Sequence, residues 1–81
     1  MQYSPAQPEV LIAVGIVNIS DFYSWATFIN SGAGAGTIDF GAGNIVTLGS
    51  GESLTMPYLG RPYGATVIDG TGTTIKIIYV R

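Results

Sequence analysis

The chain contains no cysteine and no histidine. The first absence excludes disulfide bonds and a thiol nucleophile. The second removes the commonest general base at neutral pH, and serine–histidine chemistry with it. Without either residue a tight structural zinc site has no ligands, and the five scattered carboxylates would suit only harder cations. No cofactor is expected. Charge is scarce as well: three cations, Arg61, Lys76 and Arg81, against five acids give a net charge of -2. That balance lacks the basic patch a phosphate backbone requires, so direct nucleic-acid binding is not expected. The apolar run at residues 10–17 falls far short of the roughly 20 residues of a membrane helix. No lysine or arginine precedes it, and Pro5 and Pro8 stand where a signal peptide would carry its basic segment. It reads as a strand, with neither a membrane nor a targeting segment expected. Absent cysteine fits synthesis in a reducing cytoplasm.

What the chain does have is apolar surface. Hydrophobic residues make up 47% of its 81 residues and charged ones 10%, whereas a small soluble domain usually carries roughly 25 to 35% charged residues on its surface. A single domain of this size is marginal, because ordering each residue opposes folding by on the order of 1.5 kcal/mol. With disulfides excluded, packing and association remain. The composition points to a homo-oligomer, or to a subunit of a larger assembly whose exterior is covered by neighbours.

Residues 1–8, MQYSPAQP, combine small polar residues with Pro5 and Pro8 and read as an extended arm. The arm is either a frayed terminus or a tether that Tyr3 anchors on a neighbouring subunit. Residues 9–81 form one domain. Along residues 9–19, Val10, Ile12, Val14 and Ile16 point one way and Leu11, Ala13, Val17 and Ile19 the other, so both faces of this strand are expected to be covered. Gly15 marks a bulge, a bend or a close backbone approach. Residues 22–29, FYSWATFI, have passable helical spacing, but their aromatic and β-branched content favours a strand, closed by a turn at Asn30, Ser31 and Gly32. As a lone tryptophan in an apolar run, Trp25 is expected in the core.

A loose pattern then recurs. Residues 37–43, 45–51 and 66–72 are each a β-prone run ended by Gly-x-Gly. Glycine supplies the positive φ of a tight reversal, so these endings read as hairpin or bulged turns; a phosphate-cradling loop would need a following helix. Residues 73–80, TTIKIIYV, give the clearest strand, with Ile75, Ile77 and Tyr79 on one face. Lys76 marks the wetter side or guards a sheet edge. The expected fold is therefore all-β, a small antiparallel sandwich or barrel of about six or seven short strands joined by glycine-rich turns.

Residues 49–64, GSGESLTMPYLGRPYG, hold the densest set of contact-making side chains. Tyr58, Arg61 and Tyr63, stiffened by Pro57 and Pro62, are residue types enriched at binding hot spots, on a loop that loses little entropy on docking. The alternative is that the tyrosines cap one end of the core while Arg61 is solvated. A sugar-stacking surface built on Trp25, Tyr58 or Tyr63 is a further possibility. Catalysis would have to come from a carboxylate pair among Glu9, Asp21, Asp39, Glu52 and Asp69. Asp69 and Glu52 sit in glycine turns, where such residues serve the backbone. No enzymatic activity is expected.

The segment IDFGAGNIVTLGSGESLTMPYLGRPYGATVIDGTGTTIKIIYV, roughly the last half of the chain, resembles small all-β structural proteins of tailed-bacteriophage virions. The similarity lies in its Gly-x-Gly strand ends, Gly-Glu-Ser turn, Pro-Tyr loop and closing Asp-Gly-Thr-Gly-Thr strand. The resemblance implies a capsid decoration or cement protein, or a head or tail fitting, made in the host cytoplasm and bound to the major capsid protein or another virion protein. A carbohydrate- or cell-surface-binding module of a tail fibre or baseplate is the alternative.

Overall fold

The computed structural model describes residues 8–81. The expected arm, apart from Pro8, and Tyr3 with it, lie outside the described residues. Eight strands follow one another: β1 (Glu9–Ala13), β2 (Ile16–Ile19), β3 (Trp25–Asn30), β4 (Gly36–Asp39), β5 (Ile45–Leu48), β6 (Ser53–Met56), β7 (Thr66–Asp69) and β8 (Ile75–Val80). There is no helix among the described residues. One sheet has the order β1-β8-β3-β6 and the other β2-β7-β4-β5, every neighbouring pair antiparallel. This order is that of a jelly roll, two four-stranded sheets enclosing one core. The all-β antiparallel fold expected from the sequence is observed, and of the sandwich or barrel it allowed, the sandwich is the one formed.

The strand count is eight rather than six or seven because the run at residues 9–19 belongs to both sheets. The chain leaves the first sheet after Ala13 and enters the second at Ile16, bending at Val14 and Gly15. Its neighbour bends with it: Ala13 lies opposite Ile75 in one sheet, and Ile16 lies opposite Asp69 in the other. Gly70, between those partners, donates its N–H to the Gly15 carbonyl at 2.8 Å. A methyl group on Gly70 would run into the Ala13 carbonyl oxygen, so the doubled corner needs glycine there.

The Gly-x-Gly endings also differ in role. Only Gly41-Ala42-Gly43 closes a hairpin, β4 to β5. The segments at residues 49–51 and 70–72 carry the chain from one sheet to the other, β5 to β6 and β7 to β8, so those pairs are not hairpins. The reason lies in the topology: strands consecutive in a jelly roll tend to face each other across the core instead of sharing a ladder.

Parity along the strands fills that core. Ala26, Phe28, Ile38, Ile68, Ile75 and Ile77 are fully buried, as is Tyr23 just before β3. Each large apolar side chain so buried contributes about 1.5–3 kcal/mol relative to exposure. Aromatic rings meet edge to face, Phe28 on Phe40 at 6.0 Å and Tyr23 on Tyr79 at 6.3 Å. Polar groups inside are all matched: no buried side-chain nitrogen or oxygen lacks a partner among the described residues.

Two polar knots tie the ends of the sandwich. At the end of β3, Asn30 is fully buried. Its amide donates to the carbonyls of Gly34 at 2.8 Å and Leu48 at 2.9 Å, while its oxygen accepts from Gly32 N–H at 3.0 Å and the Thr73 hydroxyl at 2.7 Å. All of its hydrogen-bonding capacity is used. At the other end, the Tyr23 hydroxyl lies 2.8 Å from the Thr66 hydroxyl, which donates to the Gly64 carbonyl at 3.2 Å.

Candidate assembly surface

The loop at residues 57–63 divides into an anchored part and a displayed part. Tyr23 and Tyr63 form an isolated antiparallel bridge, with Tyr63 N–H donating to the Tyr23 carbonyl at 2.7 Å and Tyr23 N–H returning a bond at 3.2 Å. Their rings stack at 5.3 Å, and the Tyr63 hydroxyl closes the loop on the Pro57 carbonyl at 2.5 Å. Tyr63 is thus a half-buried anchor. Tyr58 and Leu59 stand out at 68% and 66% exposure, beside exposed Pro57, Arg61 and Pro62. Arg61 forms no ion pair among the described residues.

A second surface follows from the corner. β1 and β2 are outer strands of their sheets, so residues 9–19 form one continuous edge along the sandwich that no other strand among the described residues covers. Val10, Ile12, Val14 and Ile16 are 53%, 52%, 68% and 68% exposed, so the face expected to be covered lies open in the isolated subunit. Native edges are usually protected by lysine, proline or inward charge. Beyond Glu9, this one carries no charged residue and no proline.

The outer sheet faces complete the picture. Lys76 lies on β8, which is flanked by β1 and β3, so it guards no edge. It projects from the outer face between Ile12 and Ile29. Trp25, expected inside, is half-buried on the same outer face opposite Val80, because the buried parity of β3 belongs to Ala26, Phe28 and Asn30. Strand order was needed to place Lys76, and the choice of inner face on β3 to place Trp25.

The carboxylates serve the fold. Glu9 and Asp21 share the Arg81 guanidinium at 3.2 Å each, in an exposed cluster that solvent screens. Asp39 accepts from Gly41 N–H at 2.8 Å, Asp69 from Thr71 N–H at 2.9 Å, and Glu52 from Gly49 N–H at 2.5 Å. The bonds from Thr71, side chain before backbone, hold the Asp69 carboxyl below its ordinary range. Burial pushes the Tyr23 phenol up, outweighing its bond to Thr66, and the neighbouring Glu9 carboxylate does the same for Tyr79. No group of three or more acidic, histidine or cysteine side chains able to hold a metal occurs among the described residues.

No family model matches the chain, and no curated protein matches it. A solved structure, that of a cupin-2 domain containing protein from Shewanella frigidimarina NCIMB 400, superposes with a TM-score of 0.61 at 20% identity, covering 100% of this chain and 76% of that one. At that identity the likeness establishes the β-sandwich fold and carries no chemistry across.

Proposed function

We propose that this protein is a non-enzymatic structural subunit of a virion, a capsid decoration or cement protein that assembles with copies of itself and with the major capsid protein or another virion protein. One observation carries the reading: the open edge of β1 and β2, free of charge beyond Glu9, with Val10, Ile12, Val14 and Ile16 in solvent. Such an edge in a lone subunit invites pairing with any available strand. In an assembly it becomes contact area, and repetition over a lattice turns individually weak contacts into firm attachment. The test is sedimentation of the purified protein, alone and with capsid shells. Self-association and shell binding, both reduced by Val10→Asp and Ile12→Asp in a protein that still folds, are expected. A chain that stays monomeric at high micromolar concentration and ignores every shell defeats the proposal.

A second reading, a carbohydrate- or cell-surface-binding module of a fibre or baseplate, is favoured by exposed Tyr58 and Leu59 on the proline-stiffened loop. An exposed aromatic is a ready platform for stacking on a sugar ring. Glycan-array binding abolished by Tyr58→Ala would select it over the first.

A further inference from the structure

The two outer faces of the sandwich carry matched cross-strand rows. On the first sheet, register places Ile12, Lys76 and Ile29 side by side on β1, β8 and β3. On the second, it places Val67, Asp39 and Ile45 side by side on β7, β4 and β5. Each row is one charge flanked on both sides by an aliphatic residue, and the charges have opposite sign. Strand parity turns both rows outward, since their neighbours Ile75, Ile77, Ile38 and Ile68 are buried.

We infer that the outer face of the β1-β8-β3-β6 sheet of one copy docks on the outer face of the β2-β7-β4-β5 sheet of the next, with Lys76 set against Asp39 and aliphatic flanks on aliphatic flanks. The charges decide the pairing. Joining two first sheets across a twofold axis would oppose Lys76 to Lys76, and joining two second sheets would oppose Asp39 to Asp39, each apposition costing binding. Only the mixed contact pairs a cation with an anion. Asp39 uses Oδ1 for the Gly41 N–H, which leaves Oδ2 for the incoming ammonium. Sheets stack face to face about 10 Å apart, a distance these side chains span. Because the two faces lie on opposite sides of one subunit, the contact is head-to-tail and repeats into a ring or a filament.

The inference rests on the structural-subunit reading, and the experiment separates the two. Lys76→Glu and Asp39→Lys are each expected to weaken self-association by at least about tenfold, and mixing the two variants to restore it, since each then offers what the other lacks. Asp39→Asn keeps the turn acceptor and serves as the folded control; it should weaken association less, and raised salt should weaken the wild type. The chain has no cysteine, so single introduced thiols report geometry cleanly. Ile12→Cys should form disulfides with Val67→Cys or Ile45→Cys when mixed, and little with itself. If the wild type associates but Lys76→Glu and Asp39→Lys do not affect it, or Ile12→Cys links mainly to itself, the head-to-tail contact is wrong and the subunit reading stands. A wild-type monomer that binds no shell removes both.

Discussion

The Thr73 hydroxyl donates to the Asn30 side-chain oxygen at 2.7 Å, a buried bond between residues 43 positions apart. It joins the crossing from β3 to β4 to the crossing from β7 to β8, while the Asn30 amide holds the end of β5 through the Leu48 carbonyl. Asn30→Ala strands several buried groups at once, each costing about 1–3 kcal/mol when left unpaired. A loss of roughly 2–4 kcal/mol is expected in urea denaturation. Thr73→Val removes one bond of the set and should cost about 1 kcal/mol.

Alkaline stability should depend on Tyr23. A phenol whose pKa is raised by folding contributes stability that is complete below the ordinary value of 10.0 and is lost as pH rises through the raised value. Tyr79 adds to the same limb, its pKa raised chiefly through Glu9. Denaturation midpoints should therefore hold steady up to 10.0 and fall above it. Tyr23→Phe should flatten part of that fall and Tyr23→Phe with Tyr79→Phe more of it.

At the acid end the sign reverses. Asp69 is held below its ordinary 3.8, so its contribution is present above that value and disappears as pH falls through the lowered one. Asp69→Asn keeps an acceptor for the Thr71 N–H and should lose this part of the acid dependence. An unchanged acid limb in the variant, followed by fluorescence, would assign the dependence to other carboxylates.

Ala42 adopts a φ of 54° between Gly41 and Gly43 at φ 92° and 82°. A left-handed conformation costs an alanine about 1–2 kcal/mol, and glycine there would lose about 0.5–1 kcal/mol of that benefit to its own entropy. Asparagine tolerates the region better than alanine. Ala42→Asn should raise stability by about 0.5–1 kcal/mol, read as a higher melting temperature.

The loop at residues 57–63 should separate stability from binding. Tyr63→Ala removes the Tyr23 stack and the bond to Pro57 and should cost about 2 kcal/mol. Tyr58→Ala and Arg61→Ala touch exposed side chains, so stability should move by no more than about 0.5 kcal/mol. If either lowers attachment to a partner while melting normally, the displayed half of the loop is a contact element.

How far the sequence could be read depended on the range of the interactions involved. Inward and outward residues of β1 and β8 follow from alternation alone, because a strand's faces are set by parity. The shared burial of Ile75 and Ile77 follows in the same way, but the exposure of Val10 and Ile12 does not, because both faces of β1 are apolar and only its place at the sheet edge leaves one of them open. The role of Gly70 could not be seen that way: it depends on Ala13 lying against it, far away in the chain. Lys76 read either as the wetter side of β8 or as an edge guard, and strand order, by placing β8 inside its sheet, leaves the wetter side; Trp25 read as core, but the inward parity of β3 belongs to Ala26 and Phe28. Asn30 read as a turn residue because nothing local distinguishes an asparagine that only caps its own turn from one that also holds two distant segments, at Leu48 and Thr73. In the loop, Tyr58 and Tyr63 have the same composition around them, and only the pairing with Tyr23 tells the anchor from the displayed ring.

The position of β8, between β1 and β3 yet latest of the eight strands, sets an order of events during synthesis. β1 and β3 emerge from the ribosome early but cannot meet their common partner until residues 75–80 follow. A nascent chain paused before that point leaves β1 without its ladder partner and β3 paired on its β6 side alone. The sheet that holds β1 and β3 can therefore be completed only after every strand of the other sheet, the last of which ends at Asp69, has been made.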